Sequence, residues 1–128
     1  MNCLLTGPSG FIGSRLLQKL CNDGFVVSVI ARSEIMGHKT FVCDFEKDLI
    51  PKDAFKSVDV VFHLAGLAHD TRRSEKNEES YRNMNVNLTA KLARLAADNG
   101  VKKFIFISSV KAGGAPSIGC CSSELNQN

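Results

Sequence analysis

Apolar and polar positions fall in alternating blocks along the chain, short apolar runs separated by stretches with helical spacing. The first run, Cys3-Leu4-Leu5, predicts a strand and ends at three glycines, Gly7, Gly10 and Gly13. Beyond them Ile12, Leu16, Leu17 and Leu20 recur at helical spacing, and Asn22-Asp23-Gly24 closes that helix. Phe25 to Ala31 is apolar but for one serine, the pattern of a strand buried on both faces. Thr40 to Cys43 predicts a third, shorter strand. A short helical or irregular piece around Lys52 to Ser57 leads into a fourth strand over Val58 to Ala65. Residues 69 to 80 are almost wholly polar, with charges nearly balanced, and read as a solvated loop or frayed helix start. Met84, Leu88, Leu92, Leu95 and Ala96 then share one face of a helix that Gly100 ends. Val101 to Ser109 is a fifth strand, and Val110 to Asn128, rich in Gly, Ser, Asn and Cys, shows no periodicity and reads as a loop.

Strands alternating with helices imply an α/β fold with a parallel sheet and right-handed crossovers. The glycine-rich first turn makes this a Rossmann-type doubly wound sheet, expected order 3-2-1-4-5, with ligands bound beyond the carboxyl ends of the strands. The glycines specify the ligand class. Gly7 permits a turn closed to other residues, Gly10 leaves no side chain between backbone and a bound anion, and Gly13 lets the following helix pack closely. A helix opening at Phe11 aims its unpaired N–H groups and positive dipole end at that anion, and a dinucleotide pyrophosphate meets the requirement. A second strand follows within ~30 residues, as the dinucleotide-binding unit demands.

Composition adds mainly exclusions. At 128 residues the chain is long enough for one domain with a real core. A net charge of +3 with no basic stripe gives no argument for nucleic acid. No apolar run approaches membrane-spanning length and no basic, apolar leader precedes the first strand, so neither a membrane segment nor a signal peptide is expected. The five cysteines are odd in number and lack metal-binding spacing, so no metal site is expected. Those at 3, 21 and 43 lie in apolar segments and are expected to serve as small core residues, a usage that suits a reducing cytoplasm.

The loops at the strand ends carry motifs that resemble the extended short-chain dehydrogenase/reductase family, in particular nucleotide-sugar epimerases and dehydratases of the UDP-glucose 4-epimerase type. Thr6-Gly7-Pro8-Ser9-Gly10-Phe11-Ile12-Gly13 matches that family's T-G-x-x-G-[FY]-[IL]-G. Cys43-Asp44-Phe45 resembles its adenine clamp, which implies that Asp44 accepts from the adenine amino group, with Phe45 beside it. His63-Leu64-Ala65-Gly66 resembles its H-x-A-[AG], where the backbone of Leu64, Ala65 and Gly66 would pass the nicotinamide ribose. Asn85-Val86-Asn87-Leu88-Thr89 resembles N-V-x-G-T, with Asn85 the matching asparagine and Leu88 in place of the usual glycine. Phe104 to Ser109 resembles the strand ending in the catalytic serine or threonine, which makes Ser109 the catalytic candidate. The motifs span residues 2 to about 114, and the resemblance implies NAD or NADP as cofactor and a nucleotide sugar as the full-length protein's substrate.

Read without the family, several of these residues have plainer roles. Asp44 can cap a turn, Asn85 can tie two loops together, and serines at a strand end commonly bond the backbone. His63, on an apolar strand, reads as a satisfied structural histidine and is given no catalytic part. Two departures from the family pattern carry weight. Strand 2 ends Val29-Ile30-Ala31-Arg32-Ser33, without the acidic residue that holds the ribose 2′-OH in NAD-preferring members, and the Arg32 guanidinium suits a 2′-phosphate instead. NADP is therefore slightly favoured, and NAD stays open. The family's Tyr-x-x-x-Lys pair is missing: Tyr81 is the one tyrosine, and Asn85 stands four positions on. By family spacing that pair belongs just past residue 128. The chain is thus expected to be the C-terminally truncated cofactor-binding part of a longer enzyme, inactive alone, lacking the Tyr-Lys helix and the sugar-binding domain. A non-catalytic NAD(P)-binding sensor is the alternative. Without the next helix, Phe104, Ile105, Phe106 or Ile107 would lie uncovered, so self-association into a homo-oligomer is expected.

Overall fold

The computed structural model describes residues 1–66, 79 and 82–108. Five parallel strands, β1 (Asn2–Thr6), β2 (Val26–Ala31), β3 (Lys39–Val42), β4 (Val60–His63) and β5 (Lys103–Phe106), form one sheet in the order β3-β2-β1-β4-β5. Helix α1 (Phe11–Asn22) joins β1 to β2, and a 3₁₀ turn (Lys52–Phe55) precedes β4. A π-helical turn (Asn83–Asn87) runs into α2 (Leu88–Asp98), which leads to β5. This is the Rossmann-type topology that the strand and helix blocks predict.

The sheet is covered on both faces, and the alternation of side chains along β1 shows how. Cys3 and Leu5 join Val27, Val29, Val60, Leu17 and Leu20 under α1. Leu4 points the other way, into a cluster with Ile30, Phe55, Val61, Leu88, Leu92 and Ala96 under α2. A central strand buried on both faces must be apolar throughout, which is why the β1 and β2 sequences hardly alternate. Leu88, the residue that departs from the family's glycine, is buried in the α2 cluster.

Register brings the functional ends of the strands level. Thr6 lies between Ile30 of β2 and His63 of β4, and His63 lies opposite Phe106 of β5. The loops after β1, β2, β3 and β4 therefore open on one edge, where the order reverses across β1 and β4.

Some local expectations are corrected. β4 stops at His63 and not Ala65: the Leu64 amide is shared between the Thr6 carbonyl and the Thr6 hydroxyl, each at 3.2 Å, and the Ala65 amide turns to that hydroxyl at 3.1 Å. Ile12 is 56% exposed, since it sits at the edge of the stripe formed by Gly13, Leu17 and Leu20. Cys21 is exposed on α1, whereas Cys3 and Cys43 are buried as expected. Phe104 packs against the α2 cluster, while Ile105, Phe106 and Ile107 are partly exposed at 36, 46 and 39%. Ser109, the polar stretch at 69 to 78 and the loop at 110 to 128 lie outside the described residues. Among the described residues no helix is long and apolar enough to cross a membrane, and no cluster of His, Cys, Asp or Glu could hold a metal.

Candidate functional site

The turn between β1 and α1 is built by its glycines, each under a different constraint. Gly7 has φ +74°, and a Cβ there would lie 2.8 Å from the Ala65 nitrogen, so the turn runs directly against the loop after β4. A Cβ on Gly13 would lie 1.9 Å from the Gly7 carbonyl oxygen, so the first turn of α1 seats on the turn before it. Gly10 is different. Among the described residues a Cβ there would meet only the Gly7 oxygen, at 3.6 Å, so their packing does not require glycine at this position. Gly10 is also the N-cap of α1, and among the described residues no side-chain cap bond is made to the first-turn amides there.

In front of this turn lies a cleft of about 280 Å³. It gathers Gly7, Ser9 and Gly10 from the first turn, Arg32 from the end of β2, Asp44 and Phe45 after β3, and Leu64, Ala65 and Gly66 after β4. Nine of the residues singled out in the sequence thus meet in one place. The other cofactor candidates, Phe11, Ile12, Gly13 and Asn85, are not among the residues that line it: Phe11 and Ile12 are exposed on the first turn of α1, with the Arg15 guanidinium 3.9 Å from the Phe11 ring centroid. Asn85 lies against Gly66, its Oδ1 placed 2.7 Å from where a Cβ on Gly66 would be. Met84 lines the cleft, a position that sequence spacing had assigned only to the apolar face of a helix. Met84 also packs against the α2 cluster, as that spacing predicts, while the turn that contains it is π-helical.

Asp44 caps a turn, the plainer of the two roles its sequence allows, and also lines the cleft. Its Oδ1 accepts from the Glu46 amide at 3.0 Å, which makes the turn after β3, while its carboxylate borders the cleft. Arg32 is exposed at the rim, with no ion pair to a described carboxylate. A wider groove of about 1180 Å³ continues from Phe45 and Met84 between the 45–52 loop and α2.

Beneath the loop after β4 lies a buried polar chain. The Thr6 hydroxyl and His63 Nδ1 are 2.7 Å apart, and His63 Nε2 is 3.0 Å from the Thr89 hydroxyl, which donates to the Asn85 carbonyl at 2.9 Å. His63 is fully buried, between these hydroxyls and the Phe104 and Phe106 rings. Burial without a charged partner lowers its pKa to about 4, so it is neutral near pH 7. This satisfied, uncharged histidine is the structural one the sequence suggested. Burial likewise raises the thiol pKa of Cys3 and Cys43, which keeps both protonated and unreactive.

The sequence model of the NAD dependent epimerase/dehydratase family matches residues 3–125. The chain belongs to that family. A UDP-glucose 4-epimerase from Vibrio cholerae is 33% identical over 136 residues, covering 98% of this chain and 40% of the relative. A sterol-4-alpha-carboxylate 3-dehydrogenase, decarboxylating, from Dictyostelium discoideum is 30% identical over 118 residues, covering 84% and 35%. Among solved structures, MoeE5 in complex with UDP-glucose and NAD superposes with a TM-score of 0.78 at 30% identity, over 91% of this chain and 39% of that one. The chain thus spans about two fifths of the length of these epimerase/dehydratase relatives.

Proposed function

We propose that this chain binds NAD or NADP in the cleft before the glycine turn and is the cofactor-binding part of an enzyme acting on a nucleotide sugar. The observation that carries the reading is Gly10: among the described residues its side-chain direction is open, and no side chain caps the first-turn amides of α1. That combination fits an anion pressed against backbone, and a pyrophosphate supplies it. In this reading Gly7, Ser9, Gly10 and the first turn of α1, with Phe11, Ile12 and Gly13, hold the pyrophosphate. Asp44 and Phe45 border the adenine, and Leu64, Ala65, Gly66 and Asn85 flank the nicotinamide ribose.

When bound, the nicotinamide supplies a hydride acceptor; the reaction of the whole protein would be transient hydride transfer at a sugar hydroxyl. The 33% identity to a UDP-glucose 4-epimerase and the 30% identity to a protein solved with UDP-glucose and NAD support a nucleotide sugar as substrate. Ser109 would orient the reacting hydroxyl. The 128 residues contain no Tyr-x-x-x-Lys pair, so this chain alone is proposed to bind cofactor without turnover. Unpaired Cys3, Cys21 and Cys43 fit a reducing, cytoplasmic setting.

Arg32 supports NADP over NAD, because its guanidinium can pair with a 2′-phosphate at the rim. Its exposure limits the gain to about tenfold. Titration calorimetry with both dinucleotides tests the reading: binding of either at millimolar concentration or below is expected, with NADP tighter. Arg32→Gln should erase the difference while leaving NAD affinity within about twofold, a change of under ~0.5 kcal/mol. No heat with either dinucleotide contradicts the assignment, and a preference for NAD removes the role of Arg32.

A further inference from the structure

Three motif residues have no part in holding the cofactor as proposed above: Thr6, His63 and Thr89, one each from the first turn, the strand before the 64–66 loop and the asparagine motif. They are joined to one another. The direction of each bond follows from hydrogen-bonding capacity. Thr89 Oγ1 donates to the Asn85 carbonyl, so toward His63 Nε2 it can only accept, and Nε2 must carry the ring proton. In a neutral imidazole Nδ1 is then the acceptor, and the Thr6 hydroxyl must donate to it. Having spent its proton on His63, Thr6 Oγ1 accepts from the amides of Leu64 and Ala65 at 3.2 and 3.1 Å. Among these groups one arrangement of protons satisfies every donor.

We propose that Leu64 and Ala65 N–H, Thr6, His63, Thr89 and the Asn85 carbonyl form a one-way hydrogen-bonded chain. It fixes His63 as the Nε2–H tautomer and positions the cofactor-facing loop after β4 against the glycine turn and Asn85. The cofactor part of this proposal rests on the function proposed above. The three segments it joins press on one another: Gly7 leaves no room for a Cβ beside Ala65, and Gly66 leaves none beside the Asn85 side chain. A shift of a few tenths of an ångström in the 64–66 backbone would alter both contacts. Thr6, His63 and Thr89 are positioning residues, acting on the cofactor through Leu64, Ala65, Gly66 and Asn85.

The test compares Thr89→Val, which removes the hydroxyl at nearly constant volume, with Thr89→Ser, which keeps it. NADP affinity, measured by calorimetry well below each protein's unfolding temperature, should fall about tenfold in Thr89→Val and return to within about twofold in Thr89→Ser. Nitrogen-15 spectra of the wild-type imidazoles should place the His63 proton on Nε2. A proton on Nδ1 overturns the proposal. So does a Thr89→Val protein that unfolds at lower temperature yet binds NADP as tightly as wild type, since that is a purely structural role. Should Thr89→Val fail to fold, the wild-type ring spectrum and the affinity of Thr89→Ser decide the matter. Should the wild type bind neither dinucleotide, the proposed function fails, while the tautomer in the same spectrum still supports or overturns the chain of hydrogen bonds.

Discussion

Gly13→Ala is expected to destabilise the chain by ~3 kcal/mol or more and to abolish dinucleotide binding. The added Cβ would lie 1.9 Å from the Gly7 carbonyl oxygen and 2.9 Å from its carbon, both backbone atoms that cannot swing aside. Overpacking ordinarily costs about 1–3 kcal/mol when side chains can adjust. Here the obstacle is Gly7, itself held by a left-handed φ and by contact with the 64–65 backbone. Relief must therefore move α1 off the turn or the turn off β4, and either displacement opens the cleft. Gly100→Ala makes a control, because nothing lies within 4 Å of a Cβ there and only the strain of its positive φ remains, ~1 kcal/mol. Urea unfolding of the two variants beside wild type gives the comparison. Gly13→Ala with a wild-type midpoint would mean that the turn does not seat α1 as described.

Acid should destabilise the fold as pH falls from 6.5 toward 4. The pKa of His63 is about 4 in the folded chain, against 6.5 when it is solvated. A base with a depressed folded pKa stays neutral in the native state while the unfolded chain takes up a proton. Its contribution is therefore complete above pH 6.5 and is lost as pH falls from there toward 4, a total of about 3 kcal/mol. Desolvation is the cause, and among the described residues the groups bonded to or stacked on the ring are two threonine hydroxyls and two phenylalanines, none of which carries a charge to favour the imidazolium. Asp59, bonded by the Asn2 amide, and Asp53, bonded by Lys56, have lowered pKa values and titrate below the usual carboxylate range, beneath this window. Denaturant unfolding at pH 7.5 and 4.5 should show the loss in wild type, and His63→Gln should flatten the slope between those values. An equal slope in both proteins would show that another group carries the acid sensitivity.

Much of the fold could be read from the chain because its signals are local. The glycine turn, the unbroken apolar run of β2 and the helical spacing of Leu88, Leu92 and Ala96 each report on their own neighbourhood, and the order β3-β2-β1-β4-β5 follows from linking them. What was misread depends on residues far apart in sequence. β4 ends at His63, where the Thr6 hydroxyl, 59 positions before Ala65, takes the Ala65 amide and shares that of Leu64 with the Thr6 carbonyl. Ile12 and Cys21 are apolar residues whose helix is covered on one side only. Thr6 and Thr89 stood in the motifs as letters without a function, since only the folded chain brings both to His63.

The most direct test of the account is Gly10→Ala, measured for folding and for dinucleotide binding in the same preparation. Among the described residues the Cβ meets one atom, at ordinary van der Waals distance, so the fold should tolerate it. It projects into the space assigned to the pyrophosphate, so binding should not. The account predicts an unfolding midpoint within ~0.5 kcal/mol of wild type, together with loss of the NAD and NADP heats that the wild-type chain gives. A Gly10→Ala chain that is stable and still binds either dinucleotide at wild-type affinity would contradict it.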